Sequence, residues 1–81
     1  MRYTKIVGAG EMMTKQEYVM MLQKGFTQKE LANKVGVHQP KISQWLNGVR
    51  LPNSASLHKL ANVLGEEPEY LLYKLKRVQE F

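Results

Sequence analysis

The stretch TQKELANKVGVHQPKISQWLNG, residues 27–48, holds two short amphipathic segments on either side of Val35-Gly36-Val37. Thr27 and Glu30 have the spacing of a capping box, in which a hydroxyl and a carboxylate three residues on satisfy each other's backbone amides. The helix they open carries Leu31, Ala32 and Val35 on one face. Ala32 is small, as the close crossing of two helices requires. Gly36 stands where a tight turn asks for positive φ, which glycine adopts without steric cost. Leu31, Val35, Val37 and Ile42 are placed to fill the angle between the helices. The spacing of Ala32, Gly36 and Ile42 joins two short helices through a turn of about three or four residues at a steep angle.

The helix after the turn, from about Gln39 to Asn47, buries Ile42, Trp45 and Leu46 on an i, i+3, i+4 stripe. Pro40 is tolerated in its first turn, where no amide donor is needed. Gly48 stops it. A helix held at such an angle cannot bury every face. Gln39, Pro40, Lys41, Ser43, Gln44 and Asn47 fall on the face that protrudes. A glutamine amide offers a donor and an acceptor to the major-groove edge of adenine, and that groove admits a helix.

Outward from this core, Thr14 and Glu17 form a second capping box. It opens a helix with Tyr18, Val19, Met21 and Leu22 as apolar residues and Gly25 as its stop. Downstream, Leu51-Pro52-Asn53 reads as a loop, and Asn53 or Ser54 caps a helix with Leu57, Leu60, Ala61 and Leu64 inward, closed by Gly65. Pro68 opens a last helix carrying Leu71, Leu72, Leu75 and Val78. The expected architecture is all-α: five short helices in one domain over residues 14–81. Residues 1–13 include Tyr3, Thr4, Ile6 and Val7, which favour strand, followed by Gly8 and Gly10. They are expected to form a flexible arm, or a strand added to a partner. Met12, Met13, Met20 and Met21 read as core or start-site methionines.

With 81 residues there is room for one core. No cysteine is present, and His38 and His58 have no carboxylate cluster near them. Neither a metal site nor another cofactor is expected. No aspartate and no His/Ser pairing with a carboxylate supports an enzyme. No apolar run reaches the ~20 residues of a membrane span, and the N-terminus makes a poor signal peptide. The expected location is cytoplasmic, and no small-molecule ligand is implied. The net charge of +5 has its excess in residues 14–65, where seven basic residues face Glu17 and Glu30 alone. That distribution fits a polyanion partner. It also fits an ordinary lysine-rich surface, in which Lys24, Lys29, Lys34 and Lys59 are solvated.

Residues 14–73 resemble the lambda-repressor-like (Cro-type, XRE-like) helix-turn-helix family of phage and bacterial repressors. TQKELA, the VGV turn, ISQWLNG and LANVLGEEPEYLL carry the likeness, in order and without gaps. The resemblance implies a five-helix fold whose second and third helices form the motif, and a homodimer on double-stranded operator DNA. By the same resemblance, Gln39 and Gln44 read bases, and Pro40 and Lys41 approach bases or the nearby backbone. Gln28 matches the residue that bonds a phosphate and supports the first reading glutamine. His38 and Asn47 match phosphate contacts flanking the reading helix. Arg50 sits in the backbone-tracking loop, and Ser43 joins the phosphate set. Pro40 departs from the family's usual polar residue and offers at most a contact with a thymine methyl. Leu71, Leu72, Leu75 and Val78 become candidates for the dimer surface. The function implied is a transcriptional regulator, most simply a repressor. An antitoxin that represses its own operon and binds a toxin, and an interaction module that has lost DNA binding, remain as alternatives.

Overall fold

The computed structural model describes residues 4–7 and 11–81, with side chains from Met13 onward. Five helices build the domain: α1 (Lys15–Gln23), α2 (Gln28–Val35), α3 (Gln39–Leu46), α4 (Ser54–Leu64) and α5 (Pro68–Val78). Ahead of them, β1 (Thr4–Val7) and β2 (Glu11–Thr14) pair antiparallel, Thr4 opposite Thr14 and Val7 opposite Glu11. Within the segment expected as an arm, the described residues are two paired strands. The strand-favouring run finds its partner within the chain, in Glu11–Thr14. Tyr3, Gly8 and Gly10 lie outside the described residues.

Each helix begins where its capping chemistry places it. Thr14 Oγ1 accepts from the Glu17 amide at 3.2 Å, and Glu17 Oε1 accepts from the Thr14 amide at 2.9 Å. The Thr27–Glu30 box repeats this at 3.0 and 2.8 Å. Asn53 Oδ1 accepts from the Ser56 amide at 2.8 Å, which makes Asn53 the cap of α4. Such caps contribute about 1 kcal/mol each.

The first helix ends differently from expectation. Its cap is Lys24, in left-handed backbone at φ 50°, one residue before Gly25. That conformation costs an L-residue roughly 1–2 kcal/mol, and the lysine side chain offsets it. Lys24 Nζ donates to the Leu64 carbonyl at 3.2 Å, at the end of α4, and pairs with Glu66 at 3.0 Å. Glu66 also pairs with Lys74 of α5, and its side chain is only 4% exposed. Lys24, expected as a solvated lysine, is thus one arm of a clamp joining α1, α4 and α5. Burial pushes the Glu66 carboxyl up, but the two ammonium groups outweigh it and hold its pKa below the ordinary carboxylate value.

The core gathers Tyr18, Val19 and Leu22 of α1 with the buried stripes of the other four helices. Leu31, Ile42, Leu46, Leu60, Leu71 and Leu75 are completely enclosed. Met13 packs against this core, whereas Met20 and Met21 are 71% and 48% exposed. The two methionines fall off the α1 face defined by Tyr18, Val19 and Leu22, so the core reading holds for Met13 and fails for them. The side chain of Met12 is outside the described set. Among the described residues, no helix is long and apolar enough to cross a membrane.

Candidate nucleic-acid interface

The motif is built from the inside. Leu31 and Ile42 are fully buried and Ala32 is 3% exposed where α2 and α3 pack. Gly36 caps α2 at φ 84°, and a Cβ there would meet nothing within 4 Å. Glycine is required by its backbone conformation and not by space. The amides of Gly36 and Val37 both donate to the Ala32 carbonyl, at 2.8 and 3.0 Å. These two bonds fix the turn, and half-buried Val37 packs against the core.

Ile42, Trp45 and Leu46 turn α3's inner face into the core. Its outer face presents Gln39, Pro40, Lys41 and Gln44, all exposed, with Ser43 half-buried beside them. His38 occupies the N-cap, is exposed, and makes no side-chain capping bond. No acidic residue stands in the first turn of α3. Pro40 has no N–H and the Lys41 amide donates to the His38 carbonyl at 3.0 Å, so the start of α3 lacks a side-chain cap yet keeps little donor capacity beyond the Gln39 amide, whereas the start of α2 is closed by Thr27 and Glu30. Arg50 is exposed in the loop after α3. Its amide and that of Val49 both donate to the Gln44 carbonyl, at 3.3 and 2.9 Å.

Gln28 opens α2 and is half-buried. It lines a groove of about 610 Å³ with Asn47, at the far end of α3, and with Gln16, Met20 and Gln23 of α1. Thr14, which ends β2, lies on the same wall. The two expected phosphate contacts Gln28 and Asn47 are thus brought together. Gln16, Met20 and Gln23 join them through an i, i+4, i+7 spacing on α1, a helical signal visible in the sequence but without meaning until the groove was known. Asn47 is partly committed: its Nδ2 donates to the Ser43 carbonyl at 2.8 Å and to Ser43 Oγ at 3.2 Å. A phosphate contact from that amide nitrogen has to compete with Ser43.

Lys41 and Arg50 are the exposed basic residues of α3 and the loop after it; Lys29 and Lys34 are exposed on α2 and Lys59 on α4. Lys34 also stands 5.8 Å from the centre of the Phe26 ring. Lys24 and Lys74 are held by Glu66 and contribute less to an outward field.

The leucines proposed for a dimer surface are corrected by their burial. Leu71 and Leu75 are 0% exposed and Val78 is 1%, so all three belong to the core, and Leu72 is half-buried. A chain this short needs them to seal the base of the domain. What α5 exposes instead is Tyr70 at 57% and Tyr73 at 52%. The Lys74 ammonium lies 4.4 Å above the Tyr70 ring, and Arg77 Nη1 donates to the Tyr73 hydroxyl at 2.6 Å.

No curated protein and no solved structure matches the chain. A model of a helix-turn-helix family matches residues 18–71, from the second half of α1 into α5. That span is more than half of the chain and contains the whole of α2, the turn, α3 and the Arg50 loop. The exposed amide-bearing face on α3, the uncapped start of that helix and the match over its supporting core lead to one assignment: the chain belongs to the lambda-repressor-like (XRE) helix-turn-helix family of DNA-binding regulators.

Proposed function

We propose that this chain recognises a specific operator as a homodimer, inserts α3 into the major groove, and represses transcription by occupying the site. The observation that carries the reading is the division of α3. One face is locked into the core by Ile42, Trp45 and Leu46, and the other leaves Gln39, Pro40, Lys41 and Gln44 in solvent. A rigid helix with exposed carboxamides about a turn and a half apart suits base-edge recognition, each good bidentate contact discriminating by roughly 1–3 kcal/mol. Pro40 offers only an apolar edge, suited to a thymine methyl. Lys41 and Arg50 supply phosphate attraction, with His38, Gln28 and Ser43 at the flanks. This attraction carries affinity for any sequence.

The homodimer is supported by the exposed face of α5. Tyrosine and arginine are the residue types that anchor interfaces. Glu69 stands in the first turn of α5 and Lys76 and Arg77 in the last. An antiparallel two-fold pairing through Tyr70 and Tyr73 sets the acidic end of each helix against the basic end of the other. Two reading helices related in this way serve half-sites about 34–36 Å apart.

Duplexes enriched from a random pool and then titrated by fluorescence anisotropy test the proposal. Gln44→Ala is expected to relax preference at one base position, and Arg50→Ala to weaken all duplexes alike and reduce the salt slope by about one phosphate. No binding to random duplex at low salt would overturn the function. Equal loss on operator and scrambled DNA for Gln44→Ala would overturn the role given to that residue.

A further inference from the structure

The last turn of the chain lies against the end of the reading helix. Gln79, which caps α5, donates from Nε2 to the Gly48 carbonyl at 3.2 Å. The two residues also pack closely. A Cβ on Gly48 would stand 3.1 Å from the Gln79 nitrogen and 3.2 Å from its Cα. Gly48 also adopts φ 76°, so a side chain there would be strained by conformation and would crowd Gln79. Two residues further on, the ring of Phe81 lies 5.2 Å from that of Tyr18. The segment Gln79–Phe81 is therefore held between α1 and the end of α3.

Gly48 begins the short run that ends at Arg50. On its inner side this run is tied to α3, because the Val49 and Arg50 amides share the Gln44 carbonyl. On its outer side it is tied to Gln79. The loop carrying Arg50 is thus gripped from both sides, by the backbone of a base-reading candidate and by a side chain 31 positions away in sequence. Gln79 lies outside the residues matched by the family model, so the family pattern does not supply this contact.

We infer that Gln79 is a positioning residue for DNA recognition: through Gly48 it sets the loop from which Arg50 reaches a phosphate. The inference rests on the DNA-binding role proposed for Arg50. The carboxamide touches no DNA in this scheme. It reduces the freedom that the Arg50 loop loses on binding, and that lost freedom otherwise subtracts from affinity.

Gln79→Met keeps the side-chain length, adds no charge and removes the donor. Wild type, Gln79→Met, Arg50→Ala and the double variant are titrated with the enriched operator over a range of salt concentrations, with urea unfolding alongside. Gln79→Met is expected to weaken operator binding roughly two- to tenfold and to lower the salt slope towards that of Arg50→Ala. In the Arg50→Ala background it should cause no further loss, while the unfolding midpoint stays near wild type. A purely structural role predicts a lower unfolding midpoint, an unchanged salt slope and equal loss in both backgrounds, and that result overturns the inference. Wild-type binding with an unaffected Gln79→Met also overturns it and leaves the DNA-binding reading intact. Failure of the wild type to bind any duplex overturns both.

Discussion

Helices α2 and α3 are of equal length and sit side by side in one motif, yet their ends are finished in opposite ways. The start of α2 is closed by the Thr27–Glu30 box, whereas the start of α3 is left open behind His38. Leu31, Ala32 and Val35 commit α2 to the core. On α3, a stripe of three buried residues backs an exposed face of amide and cationic groups. The difference separates two tasks. One helix is finished for stability, and the other presents amide and cationic side chains to something outside the protein.

Substitutions sharpen that contrast, beginning with the largest expected effect. Leu31→Ala leaves a cavity in a site with no exposure and should lower unfolding free energy by about 2–5 kcal/mol, measured by urea denaturation. Glu66→Gln removes the shared ionic partner of Lys24 and Lys74 and should cost about 1–3 kcal/mol. The same group gives a pH signature. Its folded-state pKa is depressed, so its contribution is present above the unfolded carboxylate pKa and is lost as pH falls through the lower folded value. Thermal unfolding between neutral pH and pH 3 should show this acid destabilisation in the wild type and much less of it in Glu66→Gln.

The two helix starts give a smaller and more direct test. Thr27→Ala should destabilise by about 1 kcal/mol. His38→Asp should do the reverse, stabilising α3 by a similar amount while weakening DNA binding, because it puts a carboxylate where a phosphate is expected. Parallel loss or parallel gain of both properties in His38→Asp would rule out this division of labour between the two helices. The smallest stability change belongs to Gln44→Ala, within about 0.5 kcal/mol, as for any exposed position free of special contacts.

The sequence announced the motif because its signals are local. The Thr27–Glu30 spacing, Ala32, Gly36 and the Ile42, Trp45, Leu46 stripe each act over a few residues, and the structure places them as expected. Where the reading failed, the deciding partner lay far along the chain. The position of Lys24 depends on Glu66 and Lys74, and the close approach to Gly48 depends on Gln79. The inward turn of Leu71, Leu75 and Val78 depends on how much core the other helices leave to be filled. The strand preference of Thr4–Val7 was visible, but its pairing with Glu11–Thr14 was not, because that partner lies outside the local window. On the reading face, exposure of Gln39, Pro40, Lys41 and Gln44 followed from periodicity. The bond between Asn47 and Ser43, which restricts one expected phosphate donor, required the structure.

Trp45, the only tryptophan in the chain, is 4% exposed on the inner face of the reading helix. Its indole faces protein on the side of α3 opposite the candidate DNA contacts. Its ultraviolet emission is accordingly a reporter of folding: short-wavelength in the native state and red-shifted on denaturation, with little response to an operator docking on the far face. A variant that loses DNA while keeping the native emission has lost contacts, and one that loses both has lost its fold. The chain thereby carries an internal optical control for its own binding experiments.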